Sequence, residues 1–373
     1  MRVVLEVNSV LQERHSGVFT YGAGLLQGMA ELAERPEVVL FCPKRNWINS
    51  NWLGDLPERL AAGRAGSGLK ARQLMGLWRY LHFPAMQYWA GDFDVYHSLH
   101  QLMPPARGRA RLLTVHDLRR YRHPEFYPHS KLEPFARAVR QADHFICISQ
   151  ATKKDLQEFF AIRDEKIDVV YHGGALGPLP MDGAQKRAGG EAGVKPSSLP
   201  AGRYFVAFSS YDRRKNLPNI MRAFVLAKRE LPGFKLLIVG REPADTEYQR
   251  IRAEAGADVI ACGPVDDFLP LLTKAAALVY ASLYEGFGLP ILEAFAAGTA
   301  VITSNVSSMP EVAGAAGLLV DPRQPESIAA GLRAIGQDAG KREELIAAGR
   351  RRMREFSWER AAEETVRVYE KFR

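Results

Sequence analysis

The sequence predicts an α/β protein built from two doubly wound parallel sheets. Short apolar runs alternate with helical patterns along the chain, the signature of parallel strands joined by crossover helices. The runs fall into two sets, separated at Gly173 to Gly202, where eight Gly and four Pro among 30 residues mark a linker. A chain of 373 residues with 47% apolar content also exceeds the usual size of one domain.

Taken in order, the first set of strands is Val3–Val7, Val38–Cys42, Val95–Ser98, Leu112–Val115, His144–Ile148 and Asp168–Tyr171. The second is Tyr204–Phe208, Lys235–Val239, Val259–Ala261, Leu278–Ala281, Ala300–Thr303 and Leu318–Val320. This divides the chain into a first domain at 1–175, a linker at 176–202, a second domain at 203–357 and a terminal helix at 358–373, opened by Phe356-Ser-Trp358. Doubly wound sheets carry ligands at the carboxyl ends of their strands. A cleft between the two sheets is therefore the expected active site.

Composition narrows the function. No stretch of about 18 apolar residues is present, so no membrane-spanning helix is expected. Met1-Arg-Val-Val-Leu-Glu-Val reads as a strand with Glu6 inside it, unlike a signal peptide. Cys42, Cys147 and Cys262 are widely spaced with no Cys-x-x-Cys pair, which reads as reduced thiols of a cytoplasmic protein and not as a zinc site. The formal charge of +8 admits nucleic acid, anionic lipid or phosphorylated substrates. From Arg59 to Gly91 five basic residues (Arg59, Arg64, Lys70, Arg72, Arg79) meet no acidic one, with Trp78, Tyr80, Phe83, Tyr88 and Trp89 interleaved. That segment (59–91) is either an interfacial patch for an anionic membrane or a solvated helix face over core aromatics. A second basic stretch, Arg107 to Arg122, holds only Asp117 against six arginines. No helix-turn-helix, zinc-finger or RNA-recognition pattern is visible, which argues against nucleic acid.

The densest chemistry lies in Glu285-Gly-Phe-Gly-Leu-Pro-Ile-Leu-Glu293. The apolar run Ala277 to Ala281 leads into it as a buried strand. Gly286 and Gly288 permit a tight turn with exposed backbone, and Pro290 suits the first turn of a helix. The amides of Gly288 and Leu289 then sit at a helix N-terminus, a seat for phosphate. Ser209-Ser-Tyr-Asp-Arg-Arg-Lys-Asn216 follows the first strand of the second domain and places Arg214 and Lys215 in a strand-to-helix loop. Cations there, with the helix tip, can stabilise a departing diphosphate without a metal. Leu112-Leu-Thr-Val-His-Asp-Leu118 ends a first-domain strand in His116-Asp117, with His123-Pro-Glu125 following.

The Glu-x7-Glu segment resembles that of retaining glycosyltransferase family 4, of GT-B fold: two Rossmann-like domains facing across a cleft. The Arg-Lys-Asn run, the Thr-x-His-Asp-Leu pattern and Ser16-Gly-Val-Phe-Thr-Tyr-Gly-Ala-Gly24 are similar to further segments of that family, in the same order. The resemblance implies that Glu285 and the Gly286, Phe287, Gly288 and Leu289 backbone hold the donor sugar. It implies that Glu293 binds ribose hydroxyls, that Arg214 and Lys215 bind the donor phosphates, and that Gly17, Ser210 and Val265 complete the donor site. His116 would act near the reacting carbon, and Ser16, Tyr21, His97 and Asp117 would line the acceptor side. His97 also has a second reading, as a satisfied core histidine. The chain departs from the family where Ser209 and Ser210 stand, since many members carry an arginine just after that strand. The division of labour among Arg213, Arg214 and Lys215 is thereby left open.

The expected function is retaining, metal-independent transfer of a hexose, mannose or a relative, from a GDP- or UDP-linked donor to a glycan or lipid-linked glycan. The expected location is cytoplasmic, at the inner membrane face, with no cofactor. The terminal helix is expected to pack back on the first domain, as in the family. A nucleotide-sugar epimerase on the same fold and a basic nucleic-acid-binding protein are the alternatives.

Overall fold

In this computed structural model the described residues are 1–8, 10–11, 16–43, 51, 53–174, 203–209, 212–242, 246–265 and 268–373. The chain forms two compact units. The first comprises Met1–Arg122, Tyr127–Ala184 and Phe356–Arg373; the second comprises His123–Phe126 and Gln185–Glu355. The expected linker, 176–202, lies outside the described residues.

The first unit holds β1 (Arg2–Glu6), β2 (Glu37–Phe41), β3 (Gly63–Ala65), β4 (Val95–Ser98), β5 (Ala110–Val115), β6 (His144–Cys147) and β7 (Ile167–Val169). They form one parallel sheet in the order β3-β2-β1-β4-β5-β6-β7. Successive residues face opposite sides of a strand, and here both sides are covered. Val3, Leu5, Val38 and Leu40 join one core with the helices Gly17–Glu31 and Trp358–Glu370. Val4, Val39 and Phe41 join the other with the helix Ala71–Tyr80. This two-sided burial is why the strands read as unbroken apolar runs.

The helix Trp358–Glu370 lies against the helix Gly17–Glu31 in the same unit. A Cβ added at Gly24 would meet the Trp358 indole at 2.2 Å, and one at Gly28 would meet the Trp358 carbonyl at 2.0 Å. Gly24 and Gly28 therefore let another helix approach closely, while Gly22, whose Cβ would strike Val10 at 2.3 Å, makes room for the turn after β1. Trp358 Nε1 donates to Gly174 O at 3.0 Å and fixes the contact.

The second unit holds β8 (Tyr204–Ser209), β9 (Lys235–Gly240), β10 (Val259–Gly263), β11 (Ala277–Tyr280), β12 (Ala300–Ser304) and β13 (Gly317–Val320). Their parallel order is β10-β9-β8-β11-β12-β13. In both sheets the strand order reverses beside the first strand, between β1 and β4 and between β8 and β11. Those switch points are where such sheets bind ligands. Every strand expected from the sequence is present, with ends shifted by one or two residues; the short edge strand β3 is additional.

Segment 59–91 divides between its two readings. Trp78 belongs to the core and Arg59 and Arg64 pair with Glu31 and Glu58. Tyr80, Leu81, Phe83 and Tyr88 are exposed, Tyr80 and Tyr88 by 73% and 75%. Lys70, Arg72 and Arg79 are exposed and have no carboxylate partner among the described residues. Gln87, which precedes Tyr88 in the chain, exchanges two hydrogen bonds with the Arg107 backbone.

Candidate functional site

In the second unit, β8 and β11 are neighbours, and the loops that leave them are knitted together. Asp212 caps the tight turn Arg213–Lys215 through Oδ1, which accepts from Arg214 N at 3.1 Å. Asn216 then adopts φ 60°, a left-handed conformation that asparagine tolerates better than most side chains. Its Nδ2 donates to Ala281 O at 2.9 Å and to Pro322 O at 2.6 Å. Leu283 N donates to Arg214 O at 2.8 Å, closing one loop against the other.

This framework delivers two cations to one carboxylate. Arg214 Nε donates to Asp212 Oδ2 at 2.8 Å, and Arg214 Nη1 reaches Tyr284 O at 3.2 Å and also Glu285 Oε2. Lys215 Nζ donates to Glu285 Oε1 at 2.7 Å and to the Tyr280 hydroxyl at 2.9 Å. The Glu285 side chain is 8% exposed. Burial alone would push its carboxyl up, but the Arg214 and Lys215 charges overcome that and hold it down at about 2. Burial lowers Lys215, with Glu285 opposing the shift. The carboxylate stays ionised and orders both cations at the carboxyl end of the sheet.

Two hydroxyls hold the Glu285 loop from behind. Ser307 Oγ donates to Glu285 O at 2.6 Å, and Ser308 Oγ lies 2.9 Å from Glu285 O and 2.7 Å from Phe287 O. Gly288 ends the turn at φ 114°, a conformation that effectively requires glycine, and the helix Leu289–Ala296 starts there with Pro290 in its first turn. Among the described residues the amides of Gly288 and Leu289 have no acceptor, so the helix tip keeps its two donors. Glu293 is half-buried on that helix, and burial raises its carboxyl to about 7. Val265 lies two residues beyond β10, and Ser210 is outside the described residues.

In the first unit, His116 leaves β5 with Nε2 donating to Leu99 O at 2.7 Å. Burial lowers its pKa, so it is a neutral imidazole with Nδ1 as its lone-pair nitrogen. Asp117 Oδ1 accepts from Arg119 N at 3.3 Å. Ser16 caps the helix Gly17–Glu31, accepting from Phe19 N at 3.1 Å, and a Cβ at Gly17 would meet nothing within 4 Å.

The acceptor-side expectation for Tyr21 is corrected here, and of the two readings of His97 the core one holds. Tyr21 and His97 are both fully buried. The His97 nitrogens lie 2.7 Å from the Tyr369 hydroxyl and 2.7 Å from Thr114 Oγ1, which in turn bonds the Tyr21 hydroxyl at 3.0 Å. His97 has no nitrogen left for a ligand, and burial lowers its pKa to about 3. Both residues build the core beneath His116, whose ring meets that of Tyr21 edge-on at 5.0 Å. The segment Ser304-Asn-Val-Ser-Ser308 resembles, in the sequence, the loop behind the family's donor site; Tyr280 and Asp212 are the residues that the sequence left without a role.

Among the described residues no group of three His, Cys, Asp or Glu side chains is arranged to hold a metal, and no helix is long and apolar enough to cross a membrane. The three cysteines are buried and free.

Two family models match the chain: Glycosyltransferase Family 4 over residues 16–174 and Glycosyl transferases group 1 over residues 195–352. The O-antigen chain mannosyltransferase B of Escherichia coli is 27% identical, over 95% of this chain and 96% of its own length. Among solved structures, Anabaena HepE in complex with UDP and glucose superposes with a TM-score of 0.68 at 16% identity, covering 100% of both chains. Sucrose-phosphate synthase from Thermosynechococcus elongatus gives 0.68 at 19% identity, over 100% of this chain and 98% of its own.

Proposed function

We propose, because the chain belongs to the family 4-like glycosyltransferases of GT-B fold and is a hexosyltransferase, that its second unit seizes the nucleoside diphosphate of a GDP- or UDP-linked hexose. One observation carries the reading: the buried Glu285 orders Arg214 and Lys215 and lies three residues ahead of Gly288, where a helix tip begins whose Gly288 and Leu289 amides have no acceptor among the described residues. Preorganised cations and helix-tip donors stabilise charge where a diphosphate departs. In this reading they do so in place of a divalent ion.

Glu285 and the Gly286–Gly288 turn hold the sugar, Glu293 accepts from the ribose hydroxyls, and Val265 lies against the base. Glu285 is already ionised by two cations and serves as a fixed charge, not as a proton donor. The departing diphosphate takes the acceptor's proton, and attack on the face it vacates retains the anomeric configuration. Neutral His116 accepts a hydroxyl hydrogen bond through Nδ1 on the sugar, with Asp117 and Ser16 toward the acceptor. The similarity to a mannosyltransferase over nearly the whole chain favours a mannose donor, and its O-antigen substrate class favours a lipid-linked glycan acceptor.

Replacing Lys215 by Ala should lower kcat/KM about a thousandfold, as losing one such charge-stabilising donor does. Nucleotide affinity should fall with it, while a chelator leaves wild-type turnover intact. Undiminished GDP and UDP binding by the variant, or turnover lost to the chelator, would overturn the assignment.

The acceptor class gives the exposed patch of the first unit a purpose. Tyr80, Leu81, Phe83 and Tyr88, rimmed by Lys70, Arg72, Arg79 and Arg107, suit the interface of an anionic bilayer at the cytoplasmic face. Each such cation contributes about 1 kcal/mol near an anionic surface. Vesicles of phosphatidylglycerol should pellet the protein and those of phosphatidylcholine should not, with the difference lost in Phe83→Ser/Tyr88→Ser. Equal pelleting by both lipids, or none, would remove the membrane from the account.

A further inference from the structure

We propose that Tyr280 is a positioning residue for the donor site, whose hydroxyl fixes the direction in which the Lys215 ammonium offers its remaining proton. The inference rests on the reading that Lys215 meets the donor phosphates. It adds a residue from the last position of β11 that acts only through that lysine.

An ammonium has three N–H donors and a flexible four-carbon stem. On such a stem the charge is easily supplied and its direction is not. Here two of the three donors are committed within the protein. One goes to Glu285 Oε1 at 2.7 Å and one to the Tyr280 hydroxyl at 2.9 Å. The nitrogen stands 4.6 Å from the centre of the Tyr280 ring, so the phenol constrains it by contact as well as by its oxygen. Two fixed donors on a tetrahedral nitrogen determine the third, which is the one left for a phosphate oxygen. Tyr280 itself is held in place. It is 3% exposed, and its carbonyl accepts from Thr303 Oγ1 at 2.9 Å.

The arrangement also bears on the charge of Lys215. Burial lowers its pKa, and what opposes burial is Glu285 foremost, with Asp212 further off; Arg214 adds to the lowering. Glu293, on the helix Leu289–Ala296, senses the same ammonium. Tyr280→Phe removes an acceptor that favours the charged form and leaves those other groups in place. The ammonium should then lose its proton at a lower pH.

GDP and UDP are titrated by calorimetry into wild type, Tyr280→Phe, Lys215→Ala and the double variant, each below its melting transition. Tyr280→Phe should weaken the better of the two nucleotides by about tenfold, the scale of a hydrogen bond to a charged group. The alkaline limb of its binding curve should move to lower pH. In the Lys215→Ala background the tyrosine change should be silent, because groups acting as one unit do not add. Wild-type affinity in Tyr280→Phe, or an unmoved alkaline limb, would overturn the proposal. Equal losses in both lysine backgrounds would also overturn it, since a tyrosine that only fills space costs the same in each. If Lys215→Ala abolishes binding altogether, the alkaline limb of the single variant decides. Full nucleotide binding by Lys215→Ala is a different failure, that of the phosphate assignment itself.

Discussion

The carboxyl ends of the two sheets hold groups of opposite electrical character. Beyond β8 and β11 the second unit gathers Arg214, Lys215, Asp212 and Glu285 into an ionic cluster whose cations are ordered before any ligand arrives. In the first unit His100 follows β4 and His116 follows β5, against a core that holds His97, His172 and Tyr21, and burial lowers every one of those imidazoles. A charged site repays desolvation only when opposite charge is fixed nearby, which the Arg214–Glu285–Lys215 arrangement supplies. The neutral site has no such debt and selects by shape and hydrogen bonds. In the proposed function the charged end meets the diphosphate and His116 meets sugar hydroxyls.

That contrast can be broken at its strongest point with His116→Asn. A side chain acting at the reacting carbon should cost about a hundredfold or more in kcat. Calorimetric affinity for GDP and UDP should be unaltered, because the proposed nucleotide site lies in the other unit. If the asparagine variant weakened nucleotide as Lys215→Ala does, the division of labour between the two units would be wrong.

Much of this was legible in the sequence, for physical reasons that differ from residue to residue. Parallel strands covered on both faces must be apolar throughout, so β1, β8 or β11 stands out as a run. Gly63-Arg-Ala65 does not, because β3 is a three-residue edge strand with no second neighbour to demand apolar side chains. Arg214, Lys215 and Glu285 announced themselves because the chemistry needs those residue types beside a glycine turn. Tyr280 did not, since it reads as one more apolar residue of a buried strand, and its hydroxyl meets Lys215 from 65 residues away. Tyr21, on the first helix, was misplaced, and His97 stood between two readings for a related reason. A polar residue near a strand end looks the same whether it faces a ligand or a partner, and the partner of His97 is Tyr369, 272 residues away. The glycines of the first helix carried an ambiguous signal, and the structure assigns Gly24 and Gly28 to Trp358.

The finest test separates the two carboxylates of the Glu-x7-Glu motif, which the structure sends in opposite directions. Glu285 is drawn down to about 2 by adjacent cations, whereas Glu293 is raised to about 7 by burial, with Lys215 opposing only in part. The signs follow from linkage. The stabilisation associated with Glu285 is complete above its ordinary value of 4.5 and is lost as pH falls through about 2. Burial of Glu293 favours the protonated fold, so that contribution is complete below 4.5 and is lost as pH rises through about 7. A carboxylate accepts from two ribose hydroxyls and a carboxylic acid does so less well, so nucleotide binding favours the ionised form of Glu293. Through Glu293, affinity for GDP or UDP should therefore rise between about pH 6 and pH 8, by no more than the tenfold per unit that one proton allows. Glu293→Gln should bind more weakly and show a shallower rise, because the nucleotide's own terminal phosphate, which loses its last proton near about pH 6, contributes equally in both proteins. A rise of equal size in the two proteins would take the ribose contact away from Glu293.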